Sequence, residues 1–290
     1  MDTRIKSLLH IVGGTLAFAG IVYVLIKLYA YSGQLDFSSF DHGTWLAAIF
    51  FAFLYGASNI MLALAWKNLL IYFGNPIHWR SAIRIYGQTQ LAKYVPGNIM
   101  HLASRQTMGM ASGIRALPLA KSSAWELGLI ALTAIFFGVL VLPQFYSAIS
   151  QEIAVLGFLF TSIVVQLLIV QVFGSLIAKA VGWYALFLLT AGLLFAVLLN
   201  LLTPESSLMH QPLLVICGAF VLAWLAGLIT PGAPAGIGIR EAILALFLKG
   251  LTSESELLLC IMLSRMITVT GDLIFFVSAS VLSLDKQGNA

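Results

Sequence analysis

Seven stretches of this chain, at 10–30, 45–65, 122–142, 152–173, 180–202, 212–230 and 256–282, are apolar almost without interruption. An α-helix needs about 20 such residues to cross the hydrocarbon core of a bilayer. The runs are continuous rather than alternating, so they read as helices and not as the strands of a barrel. Charged residues make up only 9% of the 290 positions, where a soluble domain carries about 25%. That is too few to cover the surface of a water-soluble globule. The composition excludes a soluble enzyme, a nucleic-acid-binding domain and a disordered regulator. The expected fold is an all-α polytopic membrane protein with seven to eight transmembrane helices, forming one integral-membrane domain over residues 1–290.

The basic residues predict an orientation. Between Asp41 and Glu126 there is no acid, yet seven of the fifteen Lys and Arg residues lie there: Lys67, Arg80, Arg84, Lys93, Arg105, Arg115 and Lys121. The positive-inside rule places the N-terminus, 66–121 and 174–180 in the cytoplasm. Topogenic contact with anionic lipid is enough to explain Lys67, Arg80 and Lys121. The first run follows Arg4 and Lys6 but is too long for a cleaved signal, so it reads as an uncleaved helix. Cys217 and Cys260 lie in apolar runs without ligand spacing and read as small hydrophobes. No metal or cofactor is expected.

Two segments fit neither a span nor a loop. Residues 81–113 are too polar for an ordinary span, and 231–250 are short and rich in Gly and Pro. Both contain a Pro-Gly pair, Pro96-Gly97 and Pro231-Gly232, and in both an arginine follows nine residues after the proline, Arg105 and Arg240. Proline removes a backbone donor and glycine frees the dihedrals, so each segment should be a re-entrant or discontinuous helix. A pair of Gly/Pro-interrupted segments in the two halves of a membrane protein points to a transport site, and the equal spacing suggests a weak internal repeat. Both are expected to enter from the cytoplasmic side. Half-helices starting after the breaks would present N–H groups suited to an anion, and arginine adds bidentate geometry for phosphate. The plainer reading is two turns with arginines snorkelling to the headgroups.

Asn98, His101 and Arg105 share one helical face. His101 alone reads more readily as an interhelical donor. Arg105, Arg240, Arg265, Glu126, Glu241 and Asp272 all fall at or within apolar stretches. An ionised group near the bilayer centre costs roughly 2.5–3.5 kcal/mol, so these six must pair, titrate or face water. The three arginines are expected to share one buried cavity with the acids. Arg265 and Asp272 are seven residues apart on one helix, which favours partners on other helices. Adjacent Arg240 and Glu241 point different ways, so Glu241 needs a partner elsewhere. A purely structural ion-pair network is the competing reading.

The run Lys93-Tyr94-Val95-Pro96-Gly97, the following Arg105, and Gly236-Ile237-Gly238-Ile239-Arg240-Glu241-Ala242 resemble the transmembrane domain family of bacterial lysylphosphatidylglycerol synthase/flippases, over about residues 10–282. Glu126 and Arg265 also fall where that family's intramembrane charges are expected. The chain departs from the pattern at 232–236, Gly-Ala-Pro-Ala-Gly, where the family more often has consecutive glycines. The resemblance implies a multi-pass protein of the bacterial inner membrane, with its N-terminus cytoplasmic. It also implies a stand-alone member without a synthase domain that moves an anionic phospholipid or isoprenoid-phosphate-linked substrate. Lys93, Asn98, Arg105, Arg240 and Arg265 would bind the lipid phosphate, with Glu126, Glu241 and Asp272 as their charge partners. The alternative is a non-transporting accessory protein that presents lipid to a membrane glycosyltransferase or synthase. A minor third reading is an intramembrane lipid-modifying enzyme with Glu126, Glu241 or Asp272 as base.

Overall fold

A computed structural model describes residues 22, 26, 29, 41–95, 100–203, 213–230, 238–251 and 253–282. The described residues are helical almost throughout. The chain runs through α1 (His42–Tyr72), α2 (Trp79–Gln90) with a 3-10 turn Leu91–Tyr94, α3 (Met100–Ala111), and α4 (Ala116–Phe136), which continues through 3-10 and α turns to Phe145. There follow α5 (Gln151–Phe173), α6 (Ser175–Leu202), α7 (Leu213–Ile229), α8 (Ile239–Phe247) and α9 (Glu254–Val281).

Among the described residues five helices are long and apolar enough to cross a membrane, α1, α4, α5, α6 and α9, against an expectation of seven to eight. The physical reasons for the difference are local. Of the first run, only Val22, Ile26 and Tyr29 are among the described residues, all helical; the rest lies outside them. The run at 212–230 forms α7, whose 17 residues rise about 25 Å, short of a core about 30 Å thick. The run expected at 45–65 extends to 31 residues in α1.

Serine and aspartate side chains start three of these helices. Asp41 accepts from the Thr44 N–H at 2.8 Å, Ser150 from Ile153 and Ser253 from Glu256, the last within a reciprocal capping box. Gly174, at φ +84°, joins α5 to α6 in a single residue. The core lies between α1, α6 and α9. At the crossing of α1 with α9, a Cβ on Gly56 would stand 2.8 Å from the Gly271 carbonyl oxygen, so these backbones meet only because both residues are glycine. Trp66, Tyr184, Phe187 and Phe195 are fully enclosed. The outer surface is apolar too: α5 buries only Ala154 and Ile169 and exposes Leu156, Phe160 and Val172. A face of that size requires hydrocarbon around it rather than water. The chain is a multi-pass helical membrane protein.

The ends of the bundle are tied in two groups. At one end Arg115 Nη2 donates to the Gly74 carbonyl (2.9 Å), Arg84 Nη1 donates to the Leu282 carbonyl (2.7 Å), and the rings of Trp125 and Phe173 meet at 5.3 Å. At the other end Gln144 Nε2 donates to the Lys249 carbonyl (3.3 Å), Phe145 meets Phe247 at 5.8 Å, and Leu140, Gln151 and Ala154 share a cleft with Leu213 and Val215.

Candidate functional site

The interior of the bundle holds two polar clusters on successive levels of α1 and α2. The first is built on Arg105 of α3, which is fully buried. Its Nη1 donates to Glu126 Oε2 of α4 at 2.6 Å, and Tyr86 of α2 donates its hydroxyl to Glu126 Oε1 at 2.8 Å. The guanidinium lies 3.7 Å over the Tyr86 ring and 5.5 Å from the Trp66 ring, a geometry that rewards a desolvated cation. Trp66 Nε1 donates to Ser122 Oγ at 3.0 Å, and Ser122 donates on to the Leu119 carbonyl. One cation and one carboxylate are thus sealed together, with aromatic rings as the walls. Arg105 Nε and Nη2, Ser104 Oγ, His101 Nδ1 and the Tyr184 hydroxyl are buried there without a hydrogen-bond partner among the described residues.

The second cluster is centred on Asp272 of α9, which has no exposed surface. Lys93 Nζ reaches its Oδ2 at 2.7 Å, and the Tyr94 hydroxyl donates to the same oxygen. Asn59 Nδ2 of α1 donates to Oδ1 at 3.2 Å and is itself held by Gln90, whose Nε2 donates to Asn59 Oδ1 at 3.1 Å. Three donors from outside α9 thus meet this carboxylate, two on Oδ2 and one on Oδ1, and a buried ion is tolerated when it is paired and hydrogen-bonded in this way. Beside it, Arg265 donates through Nη2 and Nε to Glu241 Oε1, at 2.9 and 3.3 Å. Glu241 Oε2 accepts the Gly238 N–H and so caps its own helix, α8. The start of α8 thus already carries a carboxylate, and its N–H groups are less open to an external anion than the sequence suggests.

Arg240 completes this level. Its guanidinium lies 5.8 Å from the Trp224 ring of α7, its Nε is buried without a partner, and no carboxylate among the described residues stands within salt-bridge distance of it. Arg240 adjoins Glu241 at the start of α8, Glu241 holds Arg265, and Arg265 shares α9 with Asp272, the partner of Lys93. Among the described residues three cations, Lys93, Arg240 and Arg265, thus accompany two carboxylates, Asp272 and Glu241, an excess of one positive charge.

The arginines therefore divide between two clusters instead of sharing one cavity. Arg265 takes Glu241, and Asp272 takes Lys93 rather than an arginine. Asn98 and both Pro-Gly pairs lie outside the described residues. Sequence reasoning missed Tyr86, Tyr94, Asn59, Gln90, Trp66 and Trp224. Asn59 carried a signal, as an amide in the middle of an apolar run; the aromatic residues carried none, because rings are common in spans.

No family model, curated protein or solved structure matches the chain.

Proposed function

We propose that this protein carries an anionic lipid headgroup, a phospholipid or an isoprenoid phosphate, across a bacterial inner membrane, with the Lys93–Arg240–Arg265 level as the phosphate site. The observation that carries the reading is Arg240. It is a guanidinium held against Trp224 inside an apolar bundle, beside two further cations and with no acid of its own among the described residues. A cation so placed is unfavourable unless an anion visits it, and its free donors suit phosphate oxygens. The resemblance of the 93–105 and 236–242 motifs to lysylphosphatidylglycerol synthase/flippase transmembrane domains points the same way. The basic end, with Arg80, Arg84, Arg115 and Lys121, faces the cytoplasm by the positive-inside rule.

The reading is tested with purified protein in liposomes. Fluorescent phosphatidylglycerol and phosphatidylcholine are compared by the access of their headgroups to an impermeant quencher. Phosphatidylglycerol should exchange leaflets about tenfold or more faster, the share of one charge-assisted hydrogen bond of about 1.5–3 kcal/mol. Tight binding of the anionic lipid without exchange would replace transport by the accessory, lipid-presenting role.

A further inference from the structure

The chain from α1 to α4 and the chain from α6 to α9 follow the same plan. Each begins with a long helix, of 31 residues in α1 and 28 in α6. A shorter helix then leads to a Pro-Gly pair, a second short helix leaves it, and a long apolar helix closes the unit. The second unit is preceded by the apolar helix α5, and the first by the apolar run 10–30, of which Val22, Ile26 and Tyr29 are described, all helical.

The correspondence extends to contacts. The arginine nine residues after each proline lies over a ring of the helix before the break, Arg105 over Tyr86 and Arg240 over Trp224. The two short helices flanking each break therefore lie side by side, the arrangement of a hairpin's legs rather than of one interrupted span. Each hairpin's second leg is tied to the following long helix by an ion pair, with the charges exchanged: Arg105 to Glu126, and Glu241 to Arg265. The first leg of each hairpin packs against the far half of the molecule. Gly87 of α2 sits on Phe275 and Ala279 of α9; Gly218 of α7 sits on Phe137, Leu140 and Val141 of α4. The two opening helices α1 and α6 pack on each other, Tyr55 against Phe187 at 6.0 Å.

A hairpin adds no net crossing. If the run 10–30 is counted as a crossing, each unit with the segment before it crosses three times, and an odd number inverts the second copy relative to the first. The ends of the bundle agree. α4 starts beside Arg115 at the basic end and finishes at Gln144, and Gln144 is hydrogen-bonded to Lys249, in the turn that follows the second hairpin. The turn after the first hairpin and the turn after the second thus lie at opposite ends of one spanning helix.

We propose that the chain is an inverted repeat, with six full crossings and two hairpins that enter from opposite faces of the membrane and meet at the Lys93–Asp272 level. The expectation that both broken segments enter from the cytoplasm is replaced by this arrangement. Leu282, bonded to Arg84, brings the end of α9 to the basic face. A site between opposed hairpins is reachable from either side when the two copies exchange conformations; that consequence rests on the transport reading, whereas the topology does not.

The test is the labelling of single cysteines with a membrane-impermeant maleimide, in right-side-out and inverted vesicles, on the otherwise unaltered chain, whose Cys217 and Cys260 are buried. Ala116→Cys and Lys249→Cys report the two turns, both exposed, and Ser147→Cys reports the connection after α4. Residue 116 should label only from the cytoplasmic side, and 249 and 147 only from the opposite side. Labelling of 116 and 249 from the same face overturns the inverted repeat. Labelling of 147 together with 116 overturns it independently, because α4 would then fail to cross.

Discussion

Arg105 and Arg240 occupy matching positions after their prolines but differ in partnership, and this difference predicts opposite behaviour on substitution. Arg105 is sealed against Glu126 and Tyr86. Glu126→Ala leaves a buried guanidinium uncompensated, and breaking such a pair costs about 3–5 kcal/mol. The single variant should lose a large part of its thermal stability in detergent, read as a lowered midpoint. The Arg105→Met, Glu126→Leu double variant should recover most of it, since apolar replacement of a whole buried pair is often neutral. If the double variant were as unstable as the single one, the pair would be acting through something other than its charges. That charges would be buried was legible in the sequence, because ionisable residues stand out in apolar runs and each must be compensated. Their partners were not. The donors to Asp272 come from residues 59, 93 and 94, and only the packing of α1 and the first hairpin against α9 brings them together.

Among the helices, the closest contact is the crossing of α1 and α9. A Cβ at Gly271 would lie 2.7 Å from the Ala52 carbonyl oxygen, so Gly271→Ala should force the helices apart and destabilise by about 1–3 kcal/mol. Gly128 in α4 has open space around its Cβ position, and Gly128→Ala should be neutral or stabilise by up to about 1 kcal/mol through helix propensity. Unfolding of the two variants side by side checks the contrast; equal effects would mean that the crossing has room to relax. Long apolar runs made α5 and α9 legible to within about two residues, whereas α4 begins at Ala116 and α6 at Ser175, ahead of the expected 122 and 180. The role of α7 was not legible. Its composition is that of a span, and only its 17-residue length and its return through Arg240 to Trp224 make it the leg of a hairpin. The extension of α1 to Tyr72 was hidden for a related reason: Lys67 and Asn68 look like a helix end, yet Asn68 is buried within the helix.

For the whole molecule, the membrane class followed from composition alone, and the two Pro-Gly breaks with their arginines marked the broken segments. What the sequence left open was from which side each broken segment enters, because hairpin and span share the same hydropathy. Lys93 pairs with Asp272 and Arg265 with Glu241, Arg240 has no acid partner among the described residues, and the proposed transport requires that this excess positive charge hold an anionic headgroup. The most direct measurement is leaflet exchange of fluorescent phosphatidylglycerol in liposomes holding wild-type, Arg240→Ala or Arg240→Lys protein at equal density. Removing a half-buried cation that has no acid partner among the described residues should leave insertion and folding intact. Exchange should fall about tenfold to a hundredfold in Arg240→Ala, the loss of a charge-assisted contact of about 1.5–3 kcal/mol. Lysine should restore only part of it, because a point charge does not reproduce a bidentate grip. If Arg240→Ala protein moved the lipid as fast as wild type, the phosphate site would not be at Arg240.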